Sequence, residues 1–571
     1  MGISPSRDKG RPRPAYSPQP WVYAAAVAAA TAWIYSPSIQ FGFVWDDEAN
    51  VLANPNIRGL GPSHLRWMFT TLFLGPYQPL SWLSLAWDHS LWGLDPRGYH
   101  LTNVLIHSLN AALFFLLSLR LLQKAGVEGL RSELTAVLSA LLFSLHPLRV
   151  ESVAWVTERR DVLCGSFYLL SLLAYSGNRR GRALIFHALS LLSKGMGVTL
   201  PLVMAALDHY PLRRPRSAWA EKLPFVLLSA AALAIGILGQ SRFAALEAHA
   251  YYGPLQRLAA AAYSLIFYLV KSLWPQNLIA FYERPDHLDP WSIPFLSAAA
   301  IALGATGALW RVRDRLAAAW TSWLCYAATL LPVLGLIPFG RQIAADRYSY
   351  LACLPWALLA AAGLGRLGSL GHPRWLPRAA AFTGIIVTTL LAGATSRQLP
   401  VWRNDETLWS HAAAINPRSS HIQIRLGHAL HLSGRRQEAR ARFEAAVGLN
   451  PTNARARYNL AVVLSEEGKS DEAEAQYRES LRVKPGFPAA ASNLAILLAR
   501  SGRAAEAEAL LRSLLERRPA YAPAHAALGA ILGAAGRRHE AAFHLRAALR
   551  INPHIPDART NLRRLSEPRE P

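Results

Sequence analysis

Three cysteines in 571 residues, Cys164, Cys325 and Cys353, are too few and too scattered for a disulfide framework, and none has the paired spacing of a zinc site. All three lie in or beside apolar segments, where a thiol behaves as a small hydrophobe. Charge is also scarce: 17% of residues are Asp, Glu, Lys or Arg, against about a quarter in soluble proteins. Acids are scarcer than bases, 36 against 60, leaving a formal charge of +24. That excess raises the question of nucleic acid, but no nucleic-acid motif is present. Much of the excess sits in short loops between apolar segments, as in Arg213-Arg214-Pro215-Arg216, where arginines set membrane topology. No nucleic-acid partner is expected; an anionic lipid or a lipid phosphate is favoured.

What the chain does have is apolar length. Residues 1–20 form a basic, Pro-rich tail read as disordered, and residues 21–38 are the first apolar segment. No small-residue cleavage site follows it, so it reads as an uncleaved span whose basic tail stays cytoplasmic. Further apolar stretches run at roughly 100–122, 133–147, 161–177, 183–197, 198–210, 221–239, 257–274, 291–309, 317–338, 349–365 and 379–395. The basic loops Lys124/Arg131, Arg179–Arg182, Arg213–Arg216, Arg311–Arg315 and Arg366–Arg378 all read as cytoplasmic. Between Arg216 and Arg311 the chain must then cross an even number of times, so one of three stretches there is re-entrant, and 257–274 is the choice. About eleven spans remain, which puts the C-terminal part on the non-cytoplasmic side.

Beyond residue 396 no apolar run is long enough to cross a bilayer. Prolines recur at 417, 451, 485, 519 and 553, always 34 apart. Gly434, Gly468, Gly502 and Gly536 keep the same interval, as do Ala439, Ala473, Ala507 and Ala541, and Leu426, Leu460, Leu494 and Leu528. A 34-residue helix–turn–helix unit with Gly in the turn and Pro at the boundary is the tetratricopeptide pattern. The organisation expected is a polytopic membrane domain over 21–396, a linker and first helix over 397–418, and four repeats with a capping helix over 419–565. The fold class is all-α: a multi-span helical bundle followed by an α-solenoid, whose groove suits an extended peptide.

Polar residues of the membrane half gather in the non-cytoplasmic loops: Asp46-Asp47-Glu48, Asp88, His89, His100, His146, Glu151, Glu158-Arg159-Arg160-Asp161, Lys194, Arg242, Arg341 and Asp346-Arg347. Charges at the ends of apolar helices are costly unless paired or used, so a polar cavity on that face is expected. Asp46 and Asp47 are the leading catalytic candidates: one carboxylate accepts a proton from an attacking hydroxyl while the other orients it or binds a divalent metal. No complete metal-ligand set is visible. From the dipeptide alone, a solvated helix-capping pair is the blander alternative. Arginine's planar fork suits phosphate oxygens, which makes Arg159, Arg160 and Arg347, with Lys194, candidates to hold a lipid phosphate; interfacial ion pairs fixing helix ends are the alternative. His146, Glu151, Glu158, Asp161, His100 and Asp346 are supporting candidates. His100, Asn103, His107 and Asn110 share one face of a span, where polar groups usually bind neighbouring helices rather than a metal.

These segments together resemble the transmembrane and tetratricopeptide-repeat-containing family. The resemblance is carried by Phe43-Val44-Trp45-Asp46-Asp47, Tyr77-Gln78-Pro79-Leu80, Gly98-Tyr99-His100-Leu101-Thr102-Asn103, the block His146–Asp161, Ser193-Lys194-Gly195-Met196, Asp208-His209-Tyr210-Pro211 and Asp346-Arg347-Tyr348-Ser349-Tyr350. It implies a GT-C glycosyltransferase related to protein O-mannosyltransferases, taking a mannose-like sugar from a polyprenyl-phosphate donor to a Ser or Thr hydroxyl outside the cytoplasm. In such enzymes an acidic pair in the first external loop is catalytic, which maps onto Asp46 and Asp47. The resemblance departs at Gln78, where relatives often carry Arg; the phosphate is then left to residues such as Arg159 and Arg347.

The mechanism implied is one inverting displacement, with an Asp as base and cations stabilising the departing phosphate. The repeats would hold an acceptor protein nearby. The Ala- and Arg-rich composition suggests a bacterial inner-membrane protein. The competing reading is an inactive, membrane-anchored scaffold whose repeats recruit partners.

Overall fold

The computed structural model describes residues 19–244, 252–285, 287–336, 342–368, 373 and 375–566. The N-terminal tail expected to be disordered and Arg341 lie outside the described residues, apart from the tail's last two positions. The chain divides into two units, Met1–Leu408 and Trp409–Pro571. The division falls inside the helix Asp405–Ile415.

The first unit is helical. Its opening helix, Pro20–Tyr35, buries Ala24, Val27, Thr31 and Tyr35, a three-and-four spacing that makes one face. Thr31 donates to the Ser144 hydroxyl at 2.9 Å. Trp21 and Trp33 stay exposed on the same helix.

The central helix, Pro96–Lys124, starts at an Asp95 cap that accepts from the Arg97 backbone N–H. Its polar stripe is fully buried and every member is bonded inside the bundle. His100 Nε2 lies 3.3 Å from the Gly42 carbonyl oxygen, and Asn103 donates to the Val153 and Trp155 carbonyls. His107 lies 2.8 Å from the Tyr350 hydroxyl, and Asn110 donates to that hydroxyl and to the Val162 carbonyl. Among the described residues no group of three or more His, Cys, Asp and Glu side chains stands together as a cation site.

Among the described residues, five helices are long and apolar enough to cross a membrane, or seven if two bent pairs each count as one crossing. About eleven apolar stretches suggested spans. The difference arises where helices break. Gly129–Ser144 and Pro147–Ala154 meet at 56°, and Asp346–Ala352 and Leu354–Leu367 at 57°. Pro147 and Pro355 sit in the first turns after these breaks, where proline's missing N–H costs nothing and its ring prevents continuation from the preceding helix. The stretches 183–197 and 198–210 form the short helices Arg180–Ser193 and Leu200–His209, with Lys194 extended between them. The stretch assigned as re-entrant forms Pro254–Leu273, which is not among the five. The strands in the described residues make a two-stranded antiparallel ribbon, Tyr282–Glu283 with Gln342–Ala344.

The second unit is a stack of helix pairs, each 34-residue unit supplying two successive helices that pack together. The first helices are Ser420–Leu432, Ala454–Glu466, Pro488–Arg500 and Ala522–Ala534, each followed by a partner beginning at Arg436, Ser470, Ala504 or Arg538. Gly434, Gly468, Gly502 and Gly536 hold φ of 78–80°, the left-handed conformation that ends a helix at little cost only for glycine. Ala439, Ala473, Ala507 and Ala541 are fully buried. A larger side chain there would push the paired helices apart. Pro556–Ser566 caps the array.

Candidate active site

The segment after the first span turns back into the bundle. Trp45 takes a φ of 54°, a left-handed conformation that costs an indole-bearing residue on the order of 1 kcal/mol or more. Two contacts hold it there. Its N–H donates to Asp405 Oδ1 at 2.8 Å, and its ring stacks on Trp155 with centroids 4.6 Å apart and planes 3° from parallel.

That turn separates the two acids. Asp47 is fully buried, and its Oδ1 accepts the Thr157 N–H at 2.7 Å and the Thr157 hydroxyl at 2.6 Å. Its Oδ2 accepts the Val44 N–H at 3.0 Å. Burial pushes the Asp47 carboxyl up to about 7, against the downward pull of those donors. Asp46 instead lines a cavity of about 460 Å³. Its backbone carbonyl accepts from Asn50 N and Nδ2. The adjacent carboxylates therefore occupy different environments: one anchors the loop, the other lines the cavity.

Arg160, Lys194 and Arg347 line the same cavity. They converge on one buried carboxylate. Glu158 pairs with Arg160, lies 2.8 Å from Lys194 Nζ and 3.4 Å from Arg347 Nε. Lys194 also reaches Asp161 at 2.6 Å, and Arg347 pairs with Glu151 and donates its backbone N–H to that carboxylate at 2.9 Å. Buried charges are tolerated only when paired in this way. Arg347 further lies over the Trp155 ring at 5.4 Å, so the indole stack and the cation cluster form one wall.

Arg159, expected among the phosphate-holding residues, does not line the cavity. It is fully buried and bonded to Asp88, Ser84, Asn103 and the Tyr99 carbonyl. Those contacts use its donors to tie the central helix to Pro79–Trp92. His146, His100 and Asp346 also sit behind the wall. His146 accepts the Leu148 N–H and lies 3.0 Å from the Ser272 carbonyl, while Asp346 accepts from the Tyr282 hydroxyl at 2.9 Å. Glu151, Glu158 and Asp161 underlie the cations. The residues that sequence reasoning did not select are Trp155, Tyr252 and Arg284, all lining the cavity. Only aromatic or basic character within the external loops pointed to them.

The Tetratricopeptide repeat family matches residues 430–482 and 464–531. The chain is 25% identical over 513 residues, 74% of its length, to protein O-mannosyl-transferase Tmtc3 of Drosophila melanogaster. It is 26% identical over 442 residues to protein O-mannosyl-transferase F38B6.6 of Caenorhabditis elegans, covering 71% of the chain. The chain is thus similar to TMTC-type proteins over most of its length and carries a tetratricopeptide-repeat match. A shorter match, 32% identical over 164 residues, links 27% of the chain to the human protein O-mannosyl-transferase TMTC1. These matches span 54%, 59% and 18% of the three relatives' own lengths.

Proposed function

We propose that the chain is a GT-C-type membrane glycosyltransferase that moves a mannose-like hexose from a polyprenyl-phosphate donor to a Ser or Thr hydroxyl of a protein held by the repeat array. One observation carries the reading: Asp46 and the cations Arg160, Lys194 and Arg347 line a single cavity. The names of the relatives, protein O-mannosyl-transferases, agree with it.

In this mechanism Asp46 accepts the proton of the acceptor hydroxyl as the oxygen attacks the anomeric carbon. The bond between that carbon and the phosphate oxygen breaks, and its electron pair leaves with the lipid phosphate. Charge develops on that phosphate opposite the basic wall, where fixed cations act without reorganising. A phosphate leaves without strong acid assistance, so one base and one cationic wall suffice. Asp47 is the positioning residue: it holds the Val44–Asp46 turn against Thr157.

The catalytic face is proposed to be non-cytoplasmic, with the N-terminus cytoplasmic, on the parity of the basic loops. Within the first unit, Gly42 donates to the Arg403 carbonyl at 3.0 Å, next to the Trp45–Asp405 bond. The end of the first unit, Arg403–Asp405, thus packs beside the turn that carries Asp46. A bacterial inner membrane is the proposed setting.

The test is transfer of labelled hexose from a polyprenyl-phosphate carrier to non-cytoplasmic proteins, followed by site mapping. Wild-type protein should label Ser or Thr, and Asp46→Asn should not. Full transfer by Asp46→Asn removes the catalytic assignment. A wild type that transfers nothing leaves the scaffold reading. Cysteine accessibility of the repeats from the cytoplasm would reverse the topology.

A further inference from the structure

The cations of the cavity wall are already matched. Arg160 faces Glu158, Lys194 faces Glu158 and Asp161, and Arg347 faces Glu151. A phosphate arriving at any of them competes with an anion in place. Arg284 lines the same cavity and differs. Its guanidinium carbon lies 4.7 Å from the centre of the Tyr252 ring, and among the described residues it has no carboxylate at ion-pair distance.

The backbone delivers it there. Tyr282 pairs with Ala344 and Glu283 with Gln342, so Arg284 leaves the ribbon at the Gln342 end of the partner strand. Gln342 and Arg347 line the same cavity. A guanidinium packed by its face on an aromatic ring keeps its N–H edges available for planar, two-point contact with phosphate oxygens. Tyr252 is itself fixed, its hydroxyl donating to the Pro285 carbonyl.

We propose that Arg284 is the phosphate ligand of this cavity, with the matched cations serving as its rigid backing. The identity of the phosphate as that of a lipid-linked sugar rests on the glycosyltransferase reading above. A sugar phosphodiester carries one negative charge, whereas a phosphate monoester carries between one and two near neutrality. Arg284 therefore binds the departing lipid monophosphate more strongly than the donor, an interaction that grows as the sugar leaves.

The test uses the purified full chain in lipid nanodiscs, with citronellyl phosphate as monoester and citronellyl phosphate mannose as diester. Arg284→Gln should weaken monoester binding about tenfold, the loss expected when a charge-assisted contact is removed. It should weaken diester binding less and flatten the salt dependence of monoester binding. Arg284→Lys should retain part of the affinity. Arg313→Gln is the control, because Arg313 stacks on Trp310 at 4.2 Å but does not line the cavity; it should change nothing. Equal binding by wild type and Arg284→Gln overturns the assignment, as does an equal loss in Arg313→Gln. Monoester binding that depends on Arg284, without hexose transfer by wild type, removes the transferase reading and leaves Arg284 a phosphate ligand. Failure of wild type to bind either compound removes both.

Discussion

Thr157 donates its backbone N–H and its side-chain hydroxyl to the same oxygen of Asp47, across 110 positions of sequence. This double contact closes the loop after the first span onto the broken helix that follows Pro147. It also sets the two adjacent acids apart, because only Asp47 is committed to it.

Asparagine substitution should therefore separate them. Asp47→Asn keeps one carbonyl oxygen for Thr157 but turns an amide N–H toward the Val44 N–H, leaving a buried donor unpaired. That costs about 1–3 kcal/mol of stability and should lower both expression and transfer. Asp46 lines the cavity and is only half-buried, so Asp46→Asn should lower the unfolding temperature less than Asp47→Asn does while abolishing transfer. Thermal unfolding in detergent beside the transfer assay distinguishes the two; equal destabilisation would refute the division of labour.

Asp47 also predicts a pH dependence of two signs. Its carboxyl is pushed up to about 7 in the fold, above its value in an unfolded chain. Its contribution to stability is thus fully present below the unfolded value and is lost as pH rises through about 7. The anion, however, is the form that accepts all three donors and orders the Trp45-Asp46 turn. Transfer should rise through about pH 7 while stability falls across the same window. Parallel pH profiles of rate and unfolding temperature check this, and a flat rate profile from pH 6 to 8 would contradict it.

Glu158 holds three cations together. Glu158→Gln leaves Arg160, Lys194 and Arg347 with their mutual repulsion only partly relieved by Asp161 and Glu151, and breaking a buried pair in this way costs about 3–5 kcal/mol. Adding Lys194→Met should restore part of that loss, a coupling visible in a double-mutant cycle of unfolding free energies. Additive losses would mean that the cluster does not act as a unit.

In the repeats, Gly468→Ala should cost about 1 kcal/mol because alanine must adopt the left-handed φ of 80° found there. The exposed ladder beside it should matter less. Arg503 bridges Glu474 and Glu506, and the same arrangement recurs 34 residues later with Arg537, Glu508 and Glu540. Pairs this exposed contribute about 0–1 kcal/mol each and are screened by salt. Guanidinium and urea melts at two ionic strengths would measure both effects; a ladder worth more than the glycine would reverse the ranking.

The repeat array was legible because its determinants are local. Gly468 at a helix end, Ala473 at a helix crossing and Pro485 at a boundary act within a few residues of their own position, and the period repeats them. The site was legible only as a set of loops. Arg159 and Arg160 are neighbours at the start of one helix, where successive side chains point about 100° apart. One turns into the bundle toward Asp88 and the other into the cavity, and no local pattern distinguishes them. Arg284 stood in a loop with no motif of its own; only the fold makes it line the same cavity as Arg347.

By itself the sequence determined the helical class, the membrane half, the 34-residue solenoid and the neighbourhood of Asp46-Asp47, since hydropathy, helix breaking and repeat spacing are properties of short segments. Tertiary structure alone decided which acid lines the cavity, which of the cavity's cations are already paired and, among the described residues, which one is not. Most of those outcomes depend on contacts between residues distant in sequence, such as Asp47 with Thr157, Lys194 with Glu158 and Arg347 with Glu151, where burial forces each charge to find a partner and the fold decides which partner is within reach.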